Sequence, residues 1–96
     1  MNPSGKMYHG STAVDTTAVQ ISSNNWPLTF GVLVKAAADN TGKVYIGNSN
    51  VTAGTAADTD GEELSAGDAV FIEIDAVSKV YAIGSAAGQK VFWIAV

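Results

Sequence analysis

Cysteine and arginine are both missing from this chain of 96 residues. Without cysteine there are no disulfides, no thiolate metal sites and no thiol nucleophile, and the redox compartment leaves no mark. Without arginine there is no planar fork for bidentate phosphate or base contacts, and the five lysines, Lys6, Lys35, Lys43, Lys79 and Lys90, are scattered singly. Nucleic-acid binding therefore lacks its electrostatic footprint.

Charge is also scarce. Only 15% of the residues are Asp, Glu, Lys or Arg, against roughly 25% in ordinary globular domains. Ala, Thr, Ser, Gly and Asn fill the gap and make a nearly neutral surface that is easily covered. No apolar run approaches the roughly 18 residues that a membrane helix needs, and MNPSGKMYHGST at the start has no apolar core of a signal peptide. A soluble protein without an export signal and without membrane contact is expected.

What is present is 47% hydrophobic residues at a net charge of -4. That is too apolar for a disordered segment, and the length corresponds to one domain with a thin core.

The pattern of these residues is that of strands. In AVFIEID, Val70, Ile72 and Ile74 alternate with Phe71, Glu73 and Asp75, the clearest period of two in the chain. KVYAIGS sets Val80 and Ala82 against Tyr81 and Ile83, and KVFWIAV closes the chain with apolar residues on both faces. Such a strand is either central in a sandwich or covered by a neighbouring subunit. In LTFGVLVK, Leu28, Phe30, Val32 and Val34 are expected to share the core face, and in KVYIG, Val44 and Ile46 oppose Tyr45.

Turn residues separate these runs. Residues 1–11 read as an N-terminal arm or a loose first strand, and residues 12–23, rich in Thr and Val, as one strand or as two parted near Asp15. Ala36, Ala37 and Ala38, followed by Asp39-Asn40-Thr41-Gly42, are expected to make a hairpin-like connection to the strand at Val44. Residues 51–68 form the longest irregular stretch, with a short strand near Val51 and Thr52 and with Leu64 pinning it to the core. The expected fold is all-β, a small antiparallel β-sandwich or jelly-roll-like barrel over residues 12–96.

Residues able to do chemistry are few. His9 is the only histidine and has no serine or carboxylate at catalytic spacing, so it is expected to be an exposed side chain. Asp58, Asp60, Glu62 and Glu63 open like a calcium loop, yet the third oxygen ligand, the glutamate six positions after the glycine and the flanking helices are missing. A solvated acidic loop is expected there. Glu73 and Asp75 lie two residues apart on one strand face, which is no glycosidase pair. Gly84-Ser85-Ala86-Ala87-Gly88 lacks the lysine and helix of a phosphate loop and reads as a turn between strands.

Trp26, Trp93, Tyr8, Tyr45 and Tyr81 could supply stacking faces for a sugar, although aromatic residues in a small sandwich usually fill the core or an interface. No catalytic residue, metal ligand or cofactor is expected, and the chain reads as a non-enzyme.

The order of elements in the second half, TGKVYIGNSNVT, then GEELSAGDAVFIEID, then SKVYAIGSAAGQKVFWIAV, resembles small β-rich virion proteins of tailed bacteriophages, among them capsid decoration or cement proteins. The likeness covers about residues 31–96 and rests on strand order and turns. It implies a structural protein that binds the major capsid protein of an assembled head in many copies, often as a symmetric homo-oligomer such as a trimer. The implied location is the capsid surface of a virion, after synthesis in the host cytoplasm. The alternative is a tail, fibre or receptor-facing sandwich module that binds glycans through Trp26, Trp93 or the tyrosines.

Overall fold

The computed structural model describes residues 7–55 and 58–96 of the chain. They form eight strands: β1 (Tyr8–Val14), β2 (Val19–Gln20), β3 (Val32–Ala36), β4 (Val44–Gly47), β5 (Glu62–Leu64), β6 (Ala69–Ile72), β7 (Tyr81–Gly84) and β8 (Gln89–Ala95), with one 3-10 turn at Val77–Lys79. The fold is all-β, in two four-stranded antiparallel sheets of order β1-β8-β3-β6 and β2-β7-β4-β5.

That order has a simple origin. β4 pairs with β5, β3 with β6, β2 with β7 and β1 with β8, so the chain behaves as one long antiparallel hairpin with its tip after β4. Rolling the hairpin brings β3 beside β8 and β4 beside β7, which completes both sheets. This is the jelly-roll arrangement of a double-sheet sandwich. The expected sandwich is therefore present, and the irregular stretch after β4 becomes the hairpin's end.

Alternation builds the core. Val32, Val34 and Ala36 of β3, Val91, Trp93 and Ala95 of β8, and Val14 of β1 point inward from the first sheet. Val44, Ile46, Leu64, Ala82 and the preceding Val80 meet them from the second. Leu64 is buried and pairs with Val44, which anchors the long segment as its sequence suggests. Valine dominates because a β-branched side chain fits the pleated surface with little rotamer freedom to lose. Val70, Ile72 and Ile74 line the core side of β6 and its continuation, as the period of two requires.

Several local expectations are corrected. The region 36–42 is no hairpin: β3 lies in the first sheet and β4 in the second, so this segment crosses from sheet to sheet. Phe30 does not share the core face with Val32. Gly31 between them has φ 148°, where a Cβ would stand 2.0 Å from the Ile72 carbonyl oxygen, and this kink breaks the alternation and leaves Phe30 exposed. Tyr45 is buried as well as Val44 and Ile46, with its hydroxyl bonded to Glu63.

In the N-terminal region, residues 1–6 lie outside the described residues, whereas Tyr8 to Ser11 belong to β1 and pair with β8. The strand region does part near Asp15, with β1 ending at Val14 and β2 starting at Val19.

Among the described residues one polar side chain is fully enclosed, that of Gln89. Gln89 accepts from the Gly42 amide at 2.9 Å through Oε1 and donates to the Ala87 carbonyl at 2.9 Å and to Thr41 Oγ1 at 3.2 Å. It ties the crossing segment before β4 to the turn before β8. Among the described residues no buried side-chain polar atom lacks a partner, as a stable interior requires.

Candidate interaction surface

β8 is central in the first sheet, flanked by β1 and β3, which accounts for its apolar inner face. Its outer face is apolar too. Phe92 and Ile94 point outward and remain 45% and 38% exposed, and across the register Ile94 stands beside Leu33 while Leu33 stands beside Phe71. Leu33 and Phe71 are 37% and 48% exposed. Four large apolar side chains from three adjacent strands thus form one continuous outer patch, the kind of feature that marks an interaction site on a protein of this size.

The rim of the patch is polar, and Asp39 shares a cleft with Lys90 and Phe92 at one end. Lys35 and Lys90 lie toward one end, with the Lys90 ammonium 5.6 Å from the centre of the Phe92 ring. Glu73 continues the outward positions of β6 at the other end. His9 and Ser11 line the β1 side, opposite Ile94 and Phe92. The sequence showed the two-sided character of β8 but not this patch, because Leu33 and Phe71 read only as the outward residues of their own strands. Their shared signal was a large apolar residue at the wet parity of three strands in turn.

A second feature lies at the start of β1. The rings of Tyr8 and Trp26 stack with centroids 4.3 Å apart and planes at 29°. Trp26 is 51% exposed, and its backbone amide bonds Asn24 Oδ1 at 2.9 Å, which shapes the extended segment that presents it. The cleft beside it, about 380 Å³, is lined by Ser22, Asn24, His9 and the buried Trp93. Of the five aromatic residues named from the sequence, Tyr8, Trp26 and Trp93 come together; Tyr45 is buried in the second sheet and Tyr81 lies half-buried on β7.

The acidic loop is organised from within. Asp60 Oδ1 accepts from Thr52 Oγ1 at 2.7 Å, the Thr55 amide at 3.0 Å and Thr55 Oγ1 at 2.9 Å, so this carboxylate holds the hairpin tip together. Glu63 Oε2 accepts from the Tyr45 hydroxyl at 3.0 Å. Burial, that bond and the negative charges of Glu63 and Asp60 together raise the Tyr45 hydroxyl above its ordinary value. Among the described residues no group of three or more acidic or histidine side chains converges as a metal site would require.

Of the remaining candidates, Asp75 pairs with Lys79 at 2.7 Å; that hydrogen bond and the lysine charge lower its carboxyl. The glycine-rich turn after β7 is closed by other partners: the Gly88 amide donates to Asp15 Oδ1 at 2.9 Å, and the Ser85 amide and hydroxyl bond the backbone of Lys43. A carboxylate occupies the amide that a phosphate would need. His9 stands exposed on the outer face of β1, across from Ile94.

Comparison with known protein families, with curated proteins and with solved structures finds no match for this chain.

Proposed function

We propose that this chain is a structural virion protein that works by being covered in an assembly, and that the assembly is a bacteriophage head to which it adds as a decoration protein. The carrying observation is the outer face of the first sheet, where Leu33, Phe71, Phe92 and Ile94 stand together in water. The likeness of the second half to small phage virion proteins supplies the setting. A jelly roll is a frequent architecture of capsid proteins, which supports the reading by analogy of fold only.

The mechanism is mass action. A protein that binds only the assembled lattice shifts the equilibrium toward that lattice, by about 2.7 kcal/mol per site at a free concentration of a hundred times Kd. Purified heads lacking the protein are expected to take it up in a fixed copy number and then to resist heat and mechanical breakage better than bare heads. Heads that neither bind it nor gain resistance would refute the reading.

A second reading has its own observation. The half-exposed Trp26, braced by Tyr8 above a cleft rimmed with Ser22, Asn24 and His9, has the form of an aromatic platform for a sugar ring. A glycan array, read together with electron microscopy of labelled particles, separates the two. Sugar binding with label at tail tips favours the receptor-facing module, and uniform label over the head without sugar binding favours decoration.

A further inference from the structure

We infer that the outer face of the first sheet pairs with the same face of a second copy, making a face-to-face dimer about a two-fold axis that runs across the strands. This deepens the reading above and rests on it in taking that face as one covered in an assembly; the cover is then a second copy, and the pair decorates the head through its remaining surfaces.

The argument begins with where the charges lie. The outward side chains form rows across the sheet, set by the register: His9, Ile94, Leu33 and Phe71 in the middle row; Ser11, Phe92, Lys35 and Ala69 in the next. Lys90 lies one row beyond, and Glu73 lies on the opposite side of the middle row. Lys35 and Glu73 therefore lie on opposite sides of the middle row, while Lys90, farther out, shares a cleft with the carboxylate-bearing Asp39. Among the described residues the one ion pair is Lys79 with Asp75, so Lys35 and Glu73 are not tied up with each other inside the chain.

An isologous contact between two sheet faces needs its two-fold axis in the plane of the contact. An axis along the strands would bring the lysine end of one copy onto the lysine end of the other. An axis across the strands, through the middle row, does the reverse: it brings Glu73 of each copy over the other's Ala69, one strand away from Lys35. Ala69 is small and leaves room for the carboxylate, and Gly31, which the same axis brings opposite Lys35, leaves room for the lysine stem. Leu33, Phe71 and Ile94 then each meet their own counterparts and form a dry centre. Charge complementarity selects this orientation and penalises the other.

The size suits only a weak pair that forms as concentration rises. β1 and β8 have seven residues each, β3 five and β6 four, so with strands about 4.8 Å apart and residues rising about 3.3 Å the face covers roughly 360 Å², with side chains adding to its accessible area. A standard interface takes about 800 Å² per partner, so this contact is well below standard size and belongs with weak, transient pairs. Aligned sheets pack about 10 Å apart at about 30°.

Sedimentation equilibrium of the full chain and three variants tests the inference. The mass of the wild type is expected to rise from 9.8 kDa toward twice that value as concentration increases. Lys35→Glu and Glu73→Lys should each weaken association by about tenfold or more, and the double reversal Lys35→Glu/Glu73→Lys should restore it to within about threefold of wild type. Both substituted positions, Lys35 and Glu73, are exposed, and a melting curve for each variant confirms the folded state. A monomer at every concentration, a trimer, single reversals without effect, or a double reversal that fails to restore pairing overturns the inference. Head binding is measured separately on the same proteins. A monomer that still coats heads overturns the dimer and leaves the decoration reading standing; a reversal-sensitive dimer that ignores heads supports the dimer and overturns the decoration reading.

Discussion

Gly10 and Trp93 stand directly opposite each other in the pairing of β1 with β8, and the indole lies where a side chain at Gly10 would be. A Cβ built on Gly10 would be 2.8 Å from Trp93 Cζ2, closer than packed atoms come. The glycine is what lets so large a ring sit 7% exposed on the inner face of a thin sandwich.

Gly10→Ala should therefore force the ring or the strand to shift. Overpacking of this kind costs about 1 to 3 kcal/mol. In a domain this small, each kcal/mol lowers the melting temperature by about 4 to 8 °C. The near-ultraviolet circular dichroism of Trp93 should change together with the melting point. An unchanged melt would mean that the indole moves aside freely.

Gln89 offers a test of the polar interior. Gln89→Leu keeps the approximate volume but removes the acceptor of the Gly42 amide and the donor to Ala87 and Thr41. Thr41 and Ala87 are exposed and can turn to water, so the cost falls mainly on the half-buried Gly42 amide, at about 1 to 3 kcal/mol. Urea denaturation should show a lower midpoint with an unchanged slope. Faster amide exchange at Gly42 would locate the lost bond.

Alkaline stability should carry the mark of Tyr45. The folded chain holds the Tyr45 proton more tightly than the unfolded chain does, because burial and the neighbouring Glu63 disfavour the phenolate. Stability from this group is complete below the ordinary tyrosine value of about 10 and is lost as pH rises through the raised folded value. The melting temperature of the wild type should fall more steeply than that of Tyr45→Phe above about pH 10. Parallel curves would show that the phenol ionises without consequence.

Gly54 should resist substitution for two reasons at once. Its φ is +65°, and a Cβ there would stand 2.7 Å from the Tyr45 hydroxyl oxygen. Gly54→Ala is expected to cost about 1 to 3 kcal/mol through backbone strain and contact. The loss should shrink in a Tyr45→Phe background, where the hydroxyl is gone. Equal losses in both backgrounds would assign the whole cost to the backbone.

The period of two in AVFIEID was enough to place Val70, Ile72 and Ile74 inside, because burial on a pleated strand follows directly from alternation, whereas the two-sided apolarity of KVFWIAV left open a central strand or a covered one until the strand order put β8 between β1 and β3. The absence of cysteine and arginine and the shortage of charge were equally plain, and they removed whole classes of chemistry before any fold was known. What alternation does not carry is which strand lies beside which. The crossing between β3 and β4, where adjacent strands in the chain join different sheets, and the kink at Gly31 that exposes Phe30 both depend on contacts between residues far apart in sequence. For the same reason only the rolled hairpin brings Leu33, Phe71, Phe92 and Ile94 onto one face. Each residue set its own side of its strand; the register between strands decided that these sides form one surface.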